Sequence, residues 1–174
     1  MTTLRLLTGL AAAGLYTIGE APWLYVASGL FVLSLILDRA DGILARLSGK
    51  TSRFGHIYDL VADSLSNALV FVGIGIGLRH GSLGGWAVPL GVIAGAAVLL
   101  VLLTVVRIES QKGEGAAEIS NTFGFDPDDA MLAVPLAVIL GWSVQLILAA
   151  SVGATVFAAI FIVFHRRTLF SKAK

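Results

Sequence analysis

Four aspartates stand out in an otherwise apolar sequence: Asp38 and Asp41, three residues apart, and Asp59 and Asp63, four apart. Each spacing places its two carboxylates on one face of a helix. An ionised aspartate at the centre of a membrane helix costs about 2.5–3.5 kcal/mol on insertion scales, so four of them need compensation. Only residues 48–52 separate the two apolar segments that carry them. So short a connection makes the segments antiparallel neighbours, which allows the four carboxylates to converge at one end of the pair. Converging oxygen donors of like charge call for cations, and hard divalent ions such as Mg²⁺ or Mn²⁺ suit them. Two such ions about 3.5–4 Å apart clamp a pyrophosphate and stabilise a leaving phosphate. Alternatively, the aspartates pair with Arg39, Arg46 and Arg53 as interfacial salt bridges.

The elements that must position them are membrane helices. Of 174 residues, 57% are hydrophobic and 13% charged, with a mean hydropathy of +0.91. A soluble domain carries about 25% charged residues, so the bilayer is the natural solvent. At about 20 apolar residues per span, the chain divides into six: residues 4–19, 22–47, 53–78, 86–108, 129–147 and 149–169. The last break is poorly marked, with Gly141-Trp142-Ser143 as a competing site. The fold class expected is all-α, a bundle of six transmembrane helices in a single domain over residues 1–174. An even count puts eleven of the twelve Lys and Arg residues on one side and only Arg79 on the other. By the positive-inside rule, both termini and the aspartate end face the cytoplasm. There are no cysteines, which excludes disulfides and thiolate metal sites.

These residues resemble a known signature. The stretch from Asp38 to Asp63 fits Asp-x2-Asp-Gly-x2-Ala-Arg-x8-Gly-x3-Asp-x3-Asp, the motif of the CDP-alcohol phosphatidyltransferase family, at every one of its eight fixed residues over 26 positions. The six-span layout resembles that family as well. The Pro-Asn element of many members' first helix is missing. The resemblance implies that Asp38, Asp41, Asp59 and Asp63 ligate two divalent cations, Mg²⁺ or Mn²⁺. Asp63 is the family's general base on the attacking hydroxyl; the residues alone leave it equally open that Asp63 is only a ligand. Asp38, Asp41, Gly42, Ala45, Arg46 and Gly55 are then the CDP-donor site. Gly42 and Ala45 let the nucleotide approach, Arg46 bonds the pyrophosphate, and Gly55 permits close packing of the third helix.

The donor implied is CDP-diacylglycerol, with a small polar alcohol as acceptor, in phospholipid synthesis. A soluble CDP-alcohol with a lipid acceptor would use the same site. The polar segment 109–125 and the start of the fifth helix are expected to help line the acceptor pocket through Arg53, Arg107, Lys112, Asp128 and Asp129. Asp126-Pro127-Asp128-Asp129 also reads as a simple helix start. The acids Glu109, Glu114 and Glu118 dilute the basic residues and disfavour a phosphorylated acceptor, although Arg166 and Arg167 could contribute. His56, despite its place in the motif, is expected at the interface rather than in catalysis.

A cytoplasmic (inner) membrane of bacterial or archaeal type is expected, with a homodimer, the bilayer as solvent and no nucleic-acid partner. The glycines at 73, 75, 77, 91 and 95 could serve self-association or packing within one chain. A divalent-cation transporter is the competing function. It fits poorly, because the acids lie at one end and segments four to six carry none in their apolar interiors.

Overall fold

The computed structural model describes residues 2–48, 53–112 and 127–169, with side chains placed for 2–44, 54–109 and 131–166. Among these are six α-helices and no strand: α1 (Thr2–Tyr16), α2 (Ala21–Ser48), α3 (Arg53–Gly77), α4 (Ala87–Lys112), α5 (Pro127–Ile139) and α6 (Ser143–Leu169). Two 3₁₀ turns, Leu78–His80 and Gly84–Trp86, join α3 to α4. Four helical stretches, on α2, on α3 and α4 with their adjoining 3₁₀ turns, and on α6, are long and apolar enough to cross a membrane: Ala21–Leu44, Phe54–His80, Gly84–Glu109 and Ser143–Arg166. The protein is an integral membrane protein. At 15 and 13 residues, α1 and α5 fall short of the usual span length.

Gly141 corrects the expected end of the fifth helix. The apolar pattern runs on to residue 147, but α5 stops at Ile139. Gly141 takes φ +77°, a left-handed conformation that costs a residue with a Cβ about 1–2 kcal/mol. Its N–H bonds the Val138 carbonyl at 3.0 Å, and the Trp142 N–H bonds the Ala137 carbonyl at 2.8 Å. This is the double hydrogen bond of a Schellman motif, which satisfies carbonyls that would otherwise be orphaned in lipid. The turn therefore falls at 140–142, and α6 begins six residues earlier than the preferred reading. The expected loop at 109–125 also starts late, since α4 runs on to Lys112.

Small residues set the packing. α1 lies antiparallel to α2 and parallel to α3, and Ala12, Ala13 and Tyr16 join Phe31, Val70, Phe71 and Ile74 in the core. Tyr16 is completely buried and shares a 3.1 Å hydrogen bond with Ser28 of α2. Gly73 meets the Ala13 carbonyl and Gly77 the Tyr16 carbonyl, so α3 lies directly against α1. Gly75 faces Gly91, and Gly95 faces the Ala68 carbonyl, bringing α4 equally close to the other side of α3. The glycines considered for self-association are thus taken up within the monomer. α4 packs in turn on α6, and α5 on α2. The outward surface is apolar, with Leu33, Ile36, Leu103, Leu136, Val163 and Phe164 exposed. The chain's three tryptophans, Trp23, Trp86 and Trp142, are also exposed. All three sit at the helix ends opposite the aspartates, where an interfacial aromatic girdle belongs.

Candidate active site

The four aspartates lie where α1, α2 and α3 meet. Asp38 and Asp41 come from the C-terminal half of α2, and Asp59 and Asp63 from the N-terminal half of α3, so the two pairs face each other at one end of the bundle. All four are engaged by the first turn of α1. The Arg5 guanidinium, only 2% exposed, pairs with Asp38, with Asp59 Oδ1 at 2.9 Å and with Asp63 Oδ1 at 2.5 Å. The Thr2 hydroxyl donates to Asp41 Oδ2 at 2.6 Å. Thr2 and Arg5 are three residues apart, hence on one face of α1. That face is held in place by the Ser34 hydroxyl, which donates to the Arg5 carbonyl at 2.9 Å. Gly9, one turn on, packs against Ser66 and Ser34.

This arrangement was not foreseen in detail. The salt-bridge alternative named Arg39, Arg46 and Arg53; among the described side chains the buried partner is Arg5, from a helix with no motif of its own. Arg39 is exposed, while Arg46 and Arg53 lie outside the described side chains. A lone arginine in the first turn of an apolar helix, with Thr2 one turn before it, was the available signal. Buried arginine needs a carboxylate, and the only acids in the apolar stretches nearby were these four. Asn67 was also missed. It is 5% exposed and its amide donates to Asp63 Oδ1 at 2.9 Å. Asparagine four residues after an aspartate in an apolar run should have pointed to it.

The donor set suits divalent cations in type: carboxylate oxygens from two helices already converge on one buried positive group. Among the described residues, no three acidic or histidine side chains form a ready ligand group, since the guanidinium stands between them. Of the other expected site residues, Gly42 is half-buried on the Asp41 turn and Gly55 is exposed at the start of α3. Arg107 is exposed near the end of α4. Ala45, Lys112, Asp128 and Asp129 lie outside the described side chains. His56 bonds Glu109 of α4 at 2.9 Å, a structural clasp that draws the end of α4, with Arg107, to the aspartate end. Arg166, exposed at the end of α6, belongs to the same end.

Beside Asp63 opens a cavity of about 510 Å³ bounded by α3, α4, α5 and α6. Asp63, Ser64 and Asn67 supply its polar side, and Val98, Leu102, Met131 and Phe157 are among its apolar lining. Its volume falls in the range of small-molecule sites, and its lining is mostly apolar with a few polar groups at one side.

The sequence profile of the CDP-alcohol phosphatidyltransferases matches residues 1–165, nearly the whole chain. The chain belongs to that family. Among similar proteins is a CDP-diacylglycerol–glycerol-3-phosphate 3-phosphatidyltransferase of Cereibacter sphaeroides, 33% identical over 89 residues. Those residues are 51% of this chain and 39% of the relative. An archaetidylinositol phosphate synthase of Pyrococcus horikoshii is 40% identical over 52 residues, 30% of this chain and 28% of its own. A phosphatidylinositol phosphate synthase of Mycolicibacterium smegmatis is 37% identical over 65 residues, 37% of this chain and 28% of its own. The chain thus spans well under half the length of the relatives it matches. Family membership gives a functional context to the aspartates, and makes Thr2, Arg5 and Asn67 the residues whose parts in it need explanation.

Proposed function

We propose that this protein transfers a phosphatidyl group from CDP-diacylglycerol to the hydroxyl of an alcohol, releasing CMP, in phospholipid synthesis. The observation that carries the reading is the meeting of all four motif aspartates at one end of α1–α3, three on the Arg5 guanidinium and the fourth on the Thr2 hydroxyl. Asp38, Asp41, Asp59 and Asp63 are the residues that would hold two divalent ions, Mg²⁺ or Mn²⁺. Bound there, the ions supply charge stabilisation to the pyrophosphate as CMP departs. Asp63 takes the proton of the attacking hydroxyl, with its carboxylate oriented by Asn67. A weak base of this kind works by placement in a site poor in water. Gly42, on the Asp41 turn, leaves room for the nucleotide. Ala45, Arg46 and Gly55 complete the donor site in this proposal, with Arg46 on the pyrophosphate.

The apolar cavity beside Asp63 supports a lipid substrate whose chain remains in the bundle while its headgroup reacts. It serves a second reading equally: a soluble CDP-alcohol as donor with a lipid alcohol as acceptor. Among polar acceptors, a phosphorylated polyol comes first, because the relatives' names include glycerol 3-phosphate and inositol phosphate products. Arg107 and Arg166 lie at the correct end to meet a phosphate, with Arg53, Lys112, Asp128 and Asp129 as further acceptor residues. This revises the expectation drawn from the acids of segment 109–125. The bias of basic residues supports a site and both termini on the cytoplasmic side, in six spans with α1 and α5 crossing by help from their flanks. A homodimer belongs to the proposal on the family resemblance alone.

CMP release by the purified protein in nanodiscs tests the reading. CDP-diacylglycerol would be offered with single acceptors (serine, glycerol, inositol, glycerol 3-phosphate, inositol phosphate), and CDP-alcohols with diacylglycerol. Release with one pair, abolished by EDTA and by Asp63→Asn, is expected. Asp63→Asn should still bind the CDP donor when metal is present. Absence of binding to any CDP compound by the wild-type protein would overturn the proposal.

A further inference from the structure

Arg5 meets the aspartates as a hydrogen-bond donor through Nη1, which donates to Asp59 Oδ1 at 2.9 Å, and as a charge alone through Nη2. It is 2% exposed, yet its Nη2, 2.5 Å from Asp63 Oδ1, makes no hydrogen bond of acceptable geometry. Arginine recognises carboxylates best through a planar two-pronged fork. Here the guanidinium instead spreads over three carboxylates from two helices. Its backbone is held firmly: the Ser34 and Thr8 hydroxyls donate to the Arg5 carbonyl at 2.9 and 2.8 Å. The end of the side chain is therefore delivered to one place, the centre of the aspartates.

Arg5 brings one positive charge to a group of carboxylates that repel one another. If the aspartates are the divalent-cation ligands proposed above, on which this inference rests, the same oxygens cannot serve both partners. Asp59 Oδ1 and Asp63 Oδ1 already face the guanidinium at contact distance. An ion ligated by those oxygens at about 2.0–2.1 Å has to take space that Nη1 and Nη2 hold. We infer that Arg5 is the site's resident counter-ion. It holds α2 and α3 together against the repulsion of their carboxylates when metal is absent, and it is displaced when divalent cations enter. Arg5 thereby acts as a positioning residue that sets the metal concentration at which the site fills.

The test is Mn²⁺ affinity, read from the free-ion electron paramagnetic resonance signal, with protein in nanodiscs of zwitterionic lipid and CMP present. Wild type, Arg5→Gln and Arg5→Lys would be compared, each also unfolded thermally in EDTA and in saturating Mn²⁺. Metal no longer has to break charge-assisted hydrogen bonds in Arg5→Gln, so it should bind about tenfold tighter or better. Its unfolding midpoint should fall in EDTA and recover in Mn²⁺. General structural damage would weaken metal binding, not strengthen it. Equal or weaker Mn²⁺ affinity in folded Arg5→Gln overturns the inference and leaves the metal reading of the aspartates standing. Should Arg5→Gln not fold, Arg5→Lys decides: its compact ammonium reaches fewer carboxylates, and Mn²⁺ binding no tighter than wild type overturns the inference. Failure of folded wild type to bind Mn²⁺ at all overturns both.

Discussion

Replacing Asn67 with leucine isolates the orientation of Asp63 from its charge. Leucine is close in size, so the buried position on α3 stays filled while the 2.9 Å hydrogen bond to Asp63 Oδ1 disappears. A hydrogen bond to a charged group contributes about 1.5–3 kcal/mol. At 1.36 kcal/mol per tenfold in rate, the full loss corresponds to a fall in kcat of about ten- to a hundredfold. Stability should change little, because Asp63 Oδ1 keeps its ion pair with Arg5. A shift of less than about 4 °C in the unfolding midpoint is expected, equivalent to about 1 kcal/mol for a chain of this size. The assay is CMP release in nanodiscs at saturating donor and metal, with CDP-donor affinity measured separately. A fall in kcat with donor affinity kept would locate the defect in the transition state. Turnover within about twofold of wild type would refute the reasoning, since less than 0.5 kcal/mol would then depend on the bond.

Further substitutions probe the other parts. Gly42→Leu should abolish binding of CDP compounds while the protein stays folded, as judged by its thermal midpoint; normal CMP release would remove Gly42 from the nucleotide site. Ala154→Trp intrudes on the 510 Å³ cavity. The bilayer solvates an excluded chain as well as the cavity does, so only packing contacts are lost, and the lipid substrate's KM should rise severalfold with CMP binding unaltered. Gly141→Ala forces a Cβ into the left-handed region, and should destabilise the folded protein by about 1–2 kcal/mol, seen in thermal unfolding without a change of metal affinity.

The aspartates were legible because helical spacing is local: three and four residues apart is a statement about one face, and a short connection fixes the neighbour. The limits appear wherever the partner is distant in sequence. Arg5 lies 33 residues from Asp38 and 54 from Asp59, and no local pattern tells how an apolar helix packs against two others. The α5–α6 turn was obscured for another reason. In a membrane protein the apolar run carries little periodic signal, since lipid-facing and core-facing positions are alike in polarity, so only Gly141 marked the stop. The glycines at 73, 75 and 77 announced close packing but not its partner. Alternate members of that row serve α1 and α4, a choice set by three-dimensional register.

The early stop of α5 bears on the lipid environment itself. At 1.5 Å per residue, its 13 residues cover about 20 Å, against roughly 30 Å of hydrocarbon in an ordinary bilayer. Trp142, exposed just beyond its end, anchors that end at the interface away from the aspartates. A helix shorter than the hydrocarbon is accommodated by local thinning of the bilayer or by its flanking residues. A bilayer that thins to meet so short a helix would bring the headgroup region closer to the carboxylates. The turnover proposed above is then expected to depend on the host membrane as well as on the chain, faster in thin bilayers and slower in thick ones.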